Sequence, residues 1–392
     1  MEILFLSSWF PYPPDNGSKI RIYNLLKGLA SQNDVTLISF YDAARPNTDK
    51  TALTSLCKQV IQIPDKSFDP HSFQAQLGFF TPRPRSVVDT FSRELAYCIQ
   101  NIVRNGNFDI AIASQLGMAG YREFFPHLPA IFEEVELGIP YQKVIASSSY
   151  IYRAREYLTW LKHRRYIGKL LSKYQACTVV SRQEMELLNA SGPKMKNITI
   201  LPNCVDMKDY DGVKLGPLRN TLIFTGSFHY KANYEAMVWF LDKVFPTIRK
   251  QVPDAELTIT GDHCGLPLPS IENVRLAGYV DDIRSLIAKS WVSLAPLLTG
   301  GGTRLKILEA MALRIPVVAT SKGAEGLEVE AGRDLFIANT PEDFAQCVIQ
   351  LLREPDIRKK LSDNGYKVVS EKYDWAGVMP KFLELVERVA VG

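Results

Sequence analysis

The sequence predicts an α/β protein built from two doubly wound, mostly parallel sheets in tandem. Three observations carry that reading. Short apolar runs alternate with segments of helical period along the chain. The alternation breaks in the polar stretch 206–218, which holds Gly212, Gly216 and Pro217, and then starts again. A length of 392 residues gives each half room to bury a core without metal or disulfide staples.

The first half opens on a buried strand over Ile3–Ser7. A helix follows from Gly17 to Ala30, with Ile22, Leu25, Leu26 and Leu29 at helical spacing. Further strands are expected at Val35–Phe40, Val60–Ile63, Ile110–Ala113, Ala130–Phe132 and Thr178–Ser181. In the second half, strands are expected at Thr221–Thr225, Glu256–Thr260, Val274–Ala277, Val292–Ala295 and Pro316–Thr320. Helices are expected at Tyr234–Arg249, Thr303–Leu313, Pro341–Leu352 and Pro380–Val391. Two such domains leave ligand sites at the carboxyl ends of their strands. The expected division is 1–205, an N-terminal Rossmann-like domain; 206–375, a second, C-terminal Rossmann-like domain; and 376–392, a helix crossing back to the first.

Composition excludes several classes. The chain is 46% hydrophobic and 22% charged, the balance of an ordered globular protein. Its net charge of +4 is too small to argue for nucleic acid, and none is expected as a partner. The charge is uneven: residues 1–205 hold 23 Lys+Arg against 17 Asp+Glu, the remainder 23 against 25. The six cysteines form no CxxC pair, which reads as reduced thiols of a cytoplasmic protein, and the five histidines show no metal-ligand spacing. The N-terminus, with Glu2 and a short apolar run, reads as a strand and not a signal peptide. No apolar run approaches the ~18–20 residues of a membrane span, so membrane contact would be peripheral, at the inner face.

The segment richest in chemistry is Gly300-Gly-Gly-Thr-Arg-Leu-Lys-Ile-Leu-Glu-Ala-Met-Ala312. Glycines between a strand and a helix let backbone approach a ligand closely. Thr303 is placed to cap the helix, whose first N–H groups then face an anion. Arg304 and Lys306 put positive charge where the helix dipole favours acids, which suggests a bound anion. Glu309 lies about one turn deeper on the same face as Lys306. A pyrophosphate at the helix tip and an acid to accept ribose hydroxyls would fit a nucleotide. An ordinary surface ion pair beside a glycine turn remains the plainer reading.

This segment, continuing as Leu313-Arg-Ile-Pro-Val-Val-Ala-Thr320, resembles the nucleotide-binding segment of family 4 retaining glycosyltransferases of the GT-B fold. The resemblance runs from the first strand to about residue 380. Phe224-Thr-Gly-Ser-Phe-His229 resembles the first strand and loop of their C-terminal domain, and Leu201-Pro-Asn-Cys-Val-Asp206 their interdomain crossing. Leu276-Ala-Gly-Tyr-Val-Asp281 resembles the loop that holds the base, and Pro13-Pro-Asp-Asn-Gly-Ser-Lys19 the first glycine loop. The resemblance implies a nucleoside-diphosphate sugar as co-substrate, no cofactor, and a glycan, lipid-linked or other glycoconjugate acceptor. It assigns donor binding to Gly17, Ser18, Gly226, Ser227, Tyr279, Val280, Gly301, Gly302, Thr303 and Glu309. Lys306 and Arg304 would stabilise the leaving pyrophosphate.

Three departures stand out. The family's paired-glutamate motif would have its first glutamate at position 301, which is Gly301. The arginine usual after the first C-domain glycine is Ser227. The N-domain histidine near the reacting carbon is not evident, and Glu133 takes that role here, with helix capping as the alternative. The adjacent Asp281 and Asp282 lack the spacing of a metal-holding Asp-x-Asp motif, so metal independence is expected. A GT-B epimerase or phosphorylase, or a catalytically silent sugar-nucleotide-binding protein, are the competing readings.

Residues 150–174 carry seven Lys+Arg, one acid and six aromatics. Ile151, Ala154, Leu158 and Leu161 at helical spacing are expected to pack inward, leaving the cations outside. Such a face is either merely solvated or meets an anionic membrane surface.

Overall fold

The structure, a computed structural model, describes residues 1–42, 51–146, 149–191, 197–213, 215–301 and 304–392. It divides into two compact units, Met1–Asn203 with Met379–Gly392, and Cys204–Val378.

Among the described residues the first unit holds seven strands: β1 (Glu2–Ser7), β2 (Asp34–Tyr41), β3 (Gln59–Pro64), β4 (Ile110–Ser114), β5 (Ala130–Glu133), β6 (Ala176–Val179) and β7 (Ile198–Ile200). They pair in parallel in the order β3-β2-β1-β4-β5-β6-β7. The central strands are buried on both faces, which is why they read as continuous apolar runs without alternation. Strand order reverses between β1 and β4, so their carboxyl ends open the crevice where ligands of such sheets bind. The helix Gly17–Ala30 follows β1. Asn16 caps it by accepting from the Lys19 amide at 3.1 Å.

The second unit holds β8 (Thr221–Thr225), β9 (Glu256–Thr260), β10 (Val274–Gly278), β11 (Val292–Ala295), β12 (Val317–Ala319) and β13 (Phe336–Ile337). Their order is β10-β9-β8-β11-β12-β13, again all parallel, with the reversal between β8 and β11. The helical stretch expected at Tyr234–Arg249 begins at Lys231 and runs to Gln251. It contains a π turn at Phe240–Val244, whose extra residue turns Phe240, Leu241 and Val244 into the core. The expected Thr303–Leu313 helix spans Leu305–Ala312. The C-terminal helix starts earlier than expected, at Trp375, and carries Pro380 inside it.

Candidate functional site

In the second unit three loops leave the carboxyl ends of β8, β9 and β11. Gly226 follows β8 with φ +144° and Gly261 follows β9 with φ +100°. A Cβ on Gly261 would stand 2.6 Å from the Gly226 carbonyl carbon, so this packing excludes any side chain there. Gly300 has φ +91°, and Tyr230 Oη occupies the space its Cβ would need. Tyr230 Oη also donates to the Gly301 carbonyl at 3.2 Å. Gly302 and Thr303, expected to bind the donor, lie outside the described residues.

Lys306 lies in the first turn of Leu305–Ala312, half-buried. Its Nζ donates to Asn233 Oδ1 at 2.9 Å and sits 4.0 Å from the centre of the Phe224 ring. Asn233 is itself fixed, because its Nδ2 donates to the Ser227 carbonyl at 2.8 Å. Burial, reinforced by the nearby Arg304 cation, pushes the Lys306 ammonium down to about 7, while Glu309 opposes that shift. An amide oxygen and an aromatic face do not neutralise an ammonium, so an incoming anion would be stabilised here.

Glu309 lies one turn on and is also half-buried, and burial holds its carboxyl above the usual range. Tyr210 Oη donates to its Oε1 at 3.4 Å. Tyr279 and Val280 follow β10 at the sheet edge, where Gly278 turns with φ +69°; Tyr279 is exposed.

Arg304 has a different task from the phosphate neutralisation expected of it. Its side chain is only 4% exposed. One terminal nitrogen donates to the Gly301 carbonyl at 2.9 Å, the other to the carbonyls of Gly300 and Lys322, each at 3.1 Å. It shapes the glycine loop from behind. The helix begins at Leu305, so Arg304 precedes the face that Lys306 and Glu309 share.

In the first unit, Gly17 and Ser18 open the helix after β1. Ser18 Oγ accepts from Gln115 Nε2 at 3.4 Å. Glu133 ends β5, but it faces no substrate. It is 0% exposed and ion-paired with the equally buried Arg21 at 2.6 Å. Its Oε1 accepts from Arg21 Nε at 2.7 Å and its Oε2 from Ser114 Oγ at 2.6 Å. Arg21 also donates to the Leu201 carbonyl and to Asn203 Oδ1, both at 2.9 Å. Both carboxylate oxygens are therefore bonded within the core, which removes Glu133 from the reacting centre.

The next residue, Glu134, takes a left-handed backbone with φ +58°, and Gln115 after β4 does the same with φ +67°. The two side chains bond at 2.8 Å, Gln115 Nε2 to Glu134 Oε2. Two non-glycine residues held in this conformation at neighbouring strand ends mark a strained, over-determined corner. Burial, with a further push from Glu133, raises the Glu134 carboxyl to about 7, against the pull of Arg21 and Gln115. Glu136 is raised to about 8, by burial and then by Glu134 and Glu184.

The basic segment forms the helix Tyr150–Leu171, which packs against Gly138–Ala146 with the Tyr141 and Trp160 rings 5.4 Å apart. The expected inward stripe is corrected: Ile151 is 81% and Leu158 66% exposed, and burial begins only at Trp160. Among the described residues, the helix buries no side chain before Trp160. Lys162 ties this helix to the 73–80 segment by donating to the Gly78 and Phe79 carbonyls. That segment exposes Phe73, Leu77, Phe79 and Phe80.

Comparison with known proteins bears on the second unit and on the fold. Residues 219–354 match the family described as Glycosyl transferases group 1. A 44.6-kDa protein of the Klebsiella pneumoniae cps region is 22% identical over 95% of this chain and 96% of its own. The structure of Anabaena HepE in complex with UDP and glucose superposes with a TM-score of 0.70 at 16% identity, covering 99% of this chain and 100% of that one. Sucrose-phosphate synthase from Thermosynechococcus elongatus gives a TM-score of 0.74 at 15% identity, covering 100% of both. The fold is thus that of GT-B glycosyltransferases, and the matched segment supports a glycosyltransferase.

Proposed function

We propose that the chain is a retaining, metal-independent glycosyltransferase that moves a sugar from a nucleoside-diphosphate sugar to a glycan, lipid-linked or other glycoconjugate acceptor. The observation that carries this is Lys306: a half-buried ammonium bonded to a neutral amide, beside glycines whose missing side chains leave room for Lys306, Asn233 and Tyr230, one turn from an acid. In the proposed reaction the bond between the anomeric carbon and the phosphate oxygen breaks. The electron pair leaves with the diphosphate. The acceptor oxygen bonds to the same face of the carbon, and its proton passes to the departing phosphate oxygen. Lys306 and the N–H groups of the helix start stabilise the leaving group, and fixed donors of this kind usually lower such a barrier most. Glu309 accepts the ribose hydroxyls, with Tyr210 orienting its carboxylate.

Because Anabaena HepE is described with UDP and glucose, UDP-glucose is the first donor to try. Thermal-shift measurements over UDP, GDP, ADP and TDP and their sugars identify the base, since at equal concentration the tighter ligand stabilises more. Release of nucleoside diphosphate that requires both donor and acceptor, and disappears in Lys306→Ala, supports transfer. Binding without release would instead support the silent sugar-nucleotide-binding reading, which Gly301 in place of the first motif glutamate motivates.

For the acceptor side, the exposed aromatics of 73–80 and of the Tyr150–Leu171 helix start, rimmed by Arg85, Arg153, Arg155 and Lys162, suit an anionic membrane surface. Flotation with vesicles containing anionic lipid at low salt tests this. Absence of binding there removes the membrane from the proposal.

A further inference from the structure

Histidines and cysteines are dispersed in the sequence, yet the fold gathers three metal-ligating side chains beside the ends of β8 and β9. One ligand atom each from His229, Asp262 and Cys264 lies within 4.8 Å of the other two. The backbone that carries them is fixed. Phe228 N donates to the Asp262 carbonyl at 2.8 Å, and Ser227 Oγ bonds the same carbonyl at 3.3 Å. Cys264 N donates to Asp262 Oδ1 at 2.9 Å, which leaves Oδ2 turned to His229 Nε2, also at 2.9 Å.

We propose that His229, Asp262 and Cys264 form a binding site for a borderline-soft divalent cation of the zinc class. Imidazole, carboxylate and thiolate together suit zinc or cobalt, whereas magnesium and calcium take all-oxygen shells. Tetrahedral bonds of about 2.0–2.3 Å separate ligand atoms by roughly 3.3–3.7 Å. The His229–Asp262 pair is already closer than that, and Cys264 needs a movement of about an ångström. The histidine and aspartate side chains are 59% and 56% exposed, so no core packing opposes the adjustment. Binding expels the thiol proton. The resulting thiolate and the carboxylate then balance the ion's two charges. Three protein ligands leave the fourth position to water. The ion would cross-link the loops after β8 and β9. The ion sits on two of the loops that carry the candidate donor site but takes part in none of the proposed bond changes, so metal binding is read directly and not through transfer activity.

The test uses the whole protein, reduced and stripped with chelator, titrated with cobalt(II) alone. The expected result is one equivalent bound, with a sulfur-to-cobalt charge-transfer band in the near ultraviolet, tetrahedral ligand-field bands in the visible and a rise in Tm. Cys264→Ser should abolish the charge-transfer band. His229→Ala and Asp262→Asn should each weaken binding at least about tenfold. Cys347→Ser, away from the cluster, should change nothing. Circular dichroism confirms that each variant folds. No band at stoichiometric cobalt, or a band that persists in Cys264→Ser, overturns the proposal.

Discussion

Two cations drawn away from solvent, Arg21 in the first unit and Lys306 in the second, show what separates architecture from a binding site. Arg21 is fully buried, ion-paired with Glu133 and bonded further to Leu201 and Asn203, and Ser114 occupies the other Glu133 oxygen. Lys306 is half-buried and donates to a neutral amide, with an aromatic ring beneath it. The first charge is neutralised by its own core. The second pays for its burial with a pKa lowered to about 7, a cost that an anionic ligand would reverse. Both sit near the reversal point of their sheet, so position alone does not distinguish them; a buried carboxylate partner does.

The largest effect should come from breaking the buried pair. Arg21→Met leaves Glu133 buried without its partner and should cost about 3–5 kcal/mol of stability, read from denaturant unfolding. Arg21→Met with Glu133→Leu should recover much of that loss. If the double variant is no better than the single, the pair is not the unit that matters.

Lys306→Ala should do the reverse: little change in Tm, but a loss of roughly 10²–10³ in the rate of nucleoside-diphosphate release. Near-normal turnover would take the lysine out of the mechanism. A milder handle on the same residue is pH. Free Lys306 is only partly charged near pH 7, and an anion should favour its protonated form. Affinity for a bare nucleoside diphosphate should therefore be full below about 7 and fall as pH rises above it, by at most about tenfold per unit. Calorimetry at pH 8 in buffers of different ionisation enthalpy should show net proton uptake, and Lys306→Met should show none from this group. The smallest effect is expected from Asn233→Ala, which frees the ammonium without removing it. A loss of roughly tenfold in affinity is expected, from one unmade buried hydrogen bond.

Most strands were legible because each is a buried apolar run closed by polar or glycine residues; Thr221–Thr225 and Glu256–Thr260 were read to the residue. The strands Ile198–Ile200 and Phe336–Ile337 were missed, since two or three residues carry no period. At the site, period could not choose between Glu133 and Glu134. The strand ends there, and the left-handed turn at Glu134 resets which side chain points inward. Nor could it choose between Arg304 and Lys306, because only the helix start at Leu305 decides which cation joins the Glu309 face. Asn233 did leave a signal: a poor helix former among Ala232, Ala236 and Met237, all buried, is a polar group that needs a reason. His229, Asp262 and Cys264 left none, because their meeting depends on two strands lying side by side.

The C-terminal tail has a consequence in time. Residues Met379–Gly392 belong to the unit that begins at Met1, and they bury Phe382, Leu385 and Val386. The Met379 side chain fills the space that a side chain at Gly28 would take; a Cβ there would stand 2.3 Å from its sulfur. On a ribosome that adds ~5–20 residues per second, all of Cys204–Val378 is made between the two pieces, a delay of roughly 10–35 s. Throughout that interval the helix that buries Phe382, Leu385 and Val386 does not yet exist, while the second unit already has every strand of its sheet. The unit made first is thus the one finished last, and a chaperone that shields nascent chains would find its customer there.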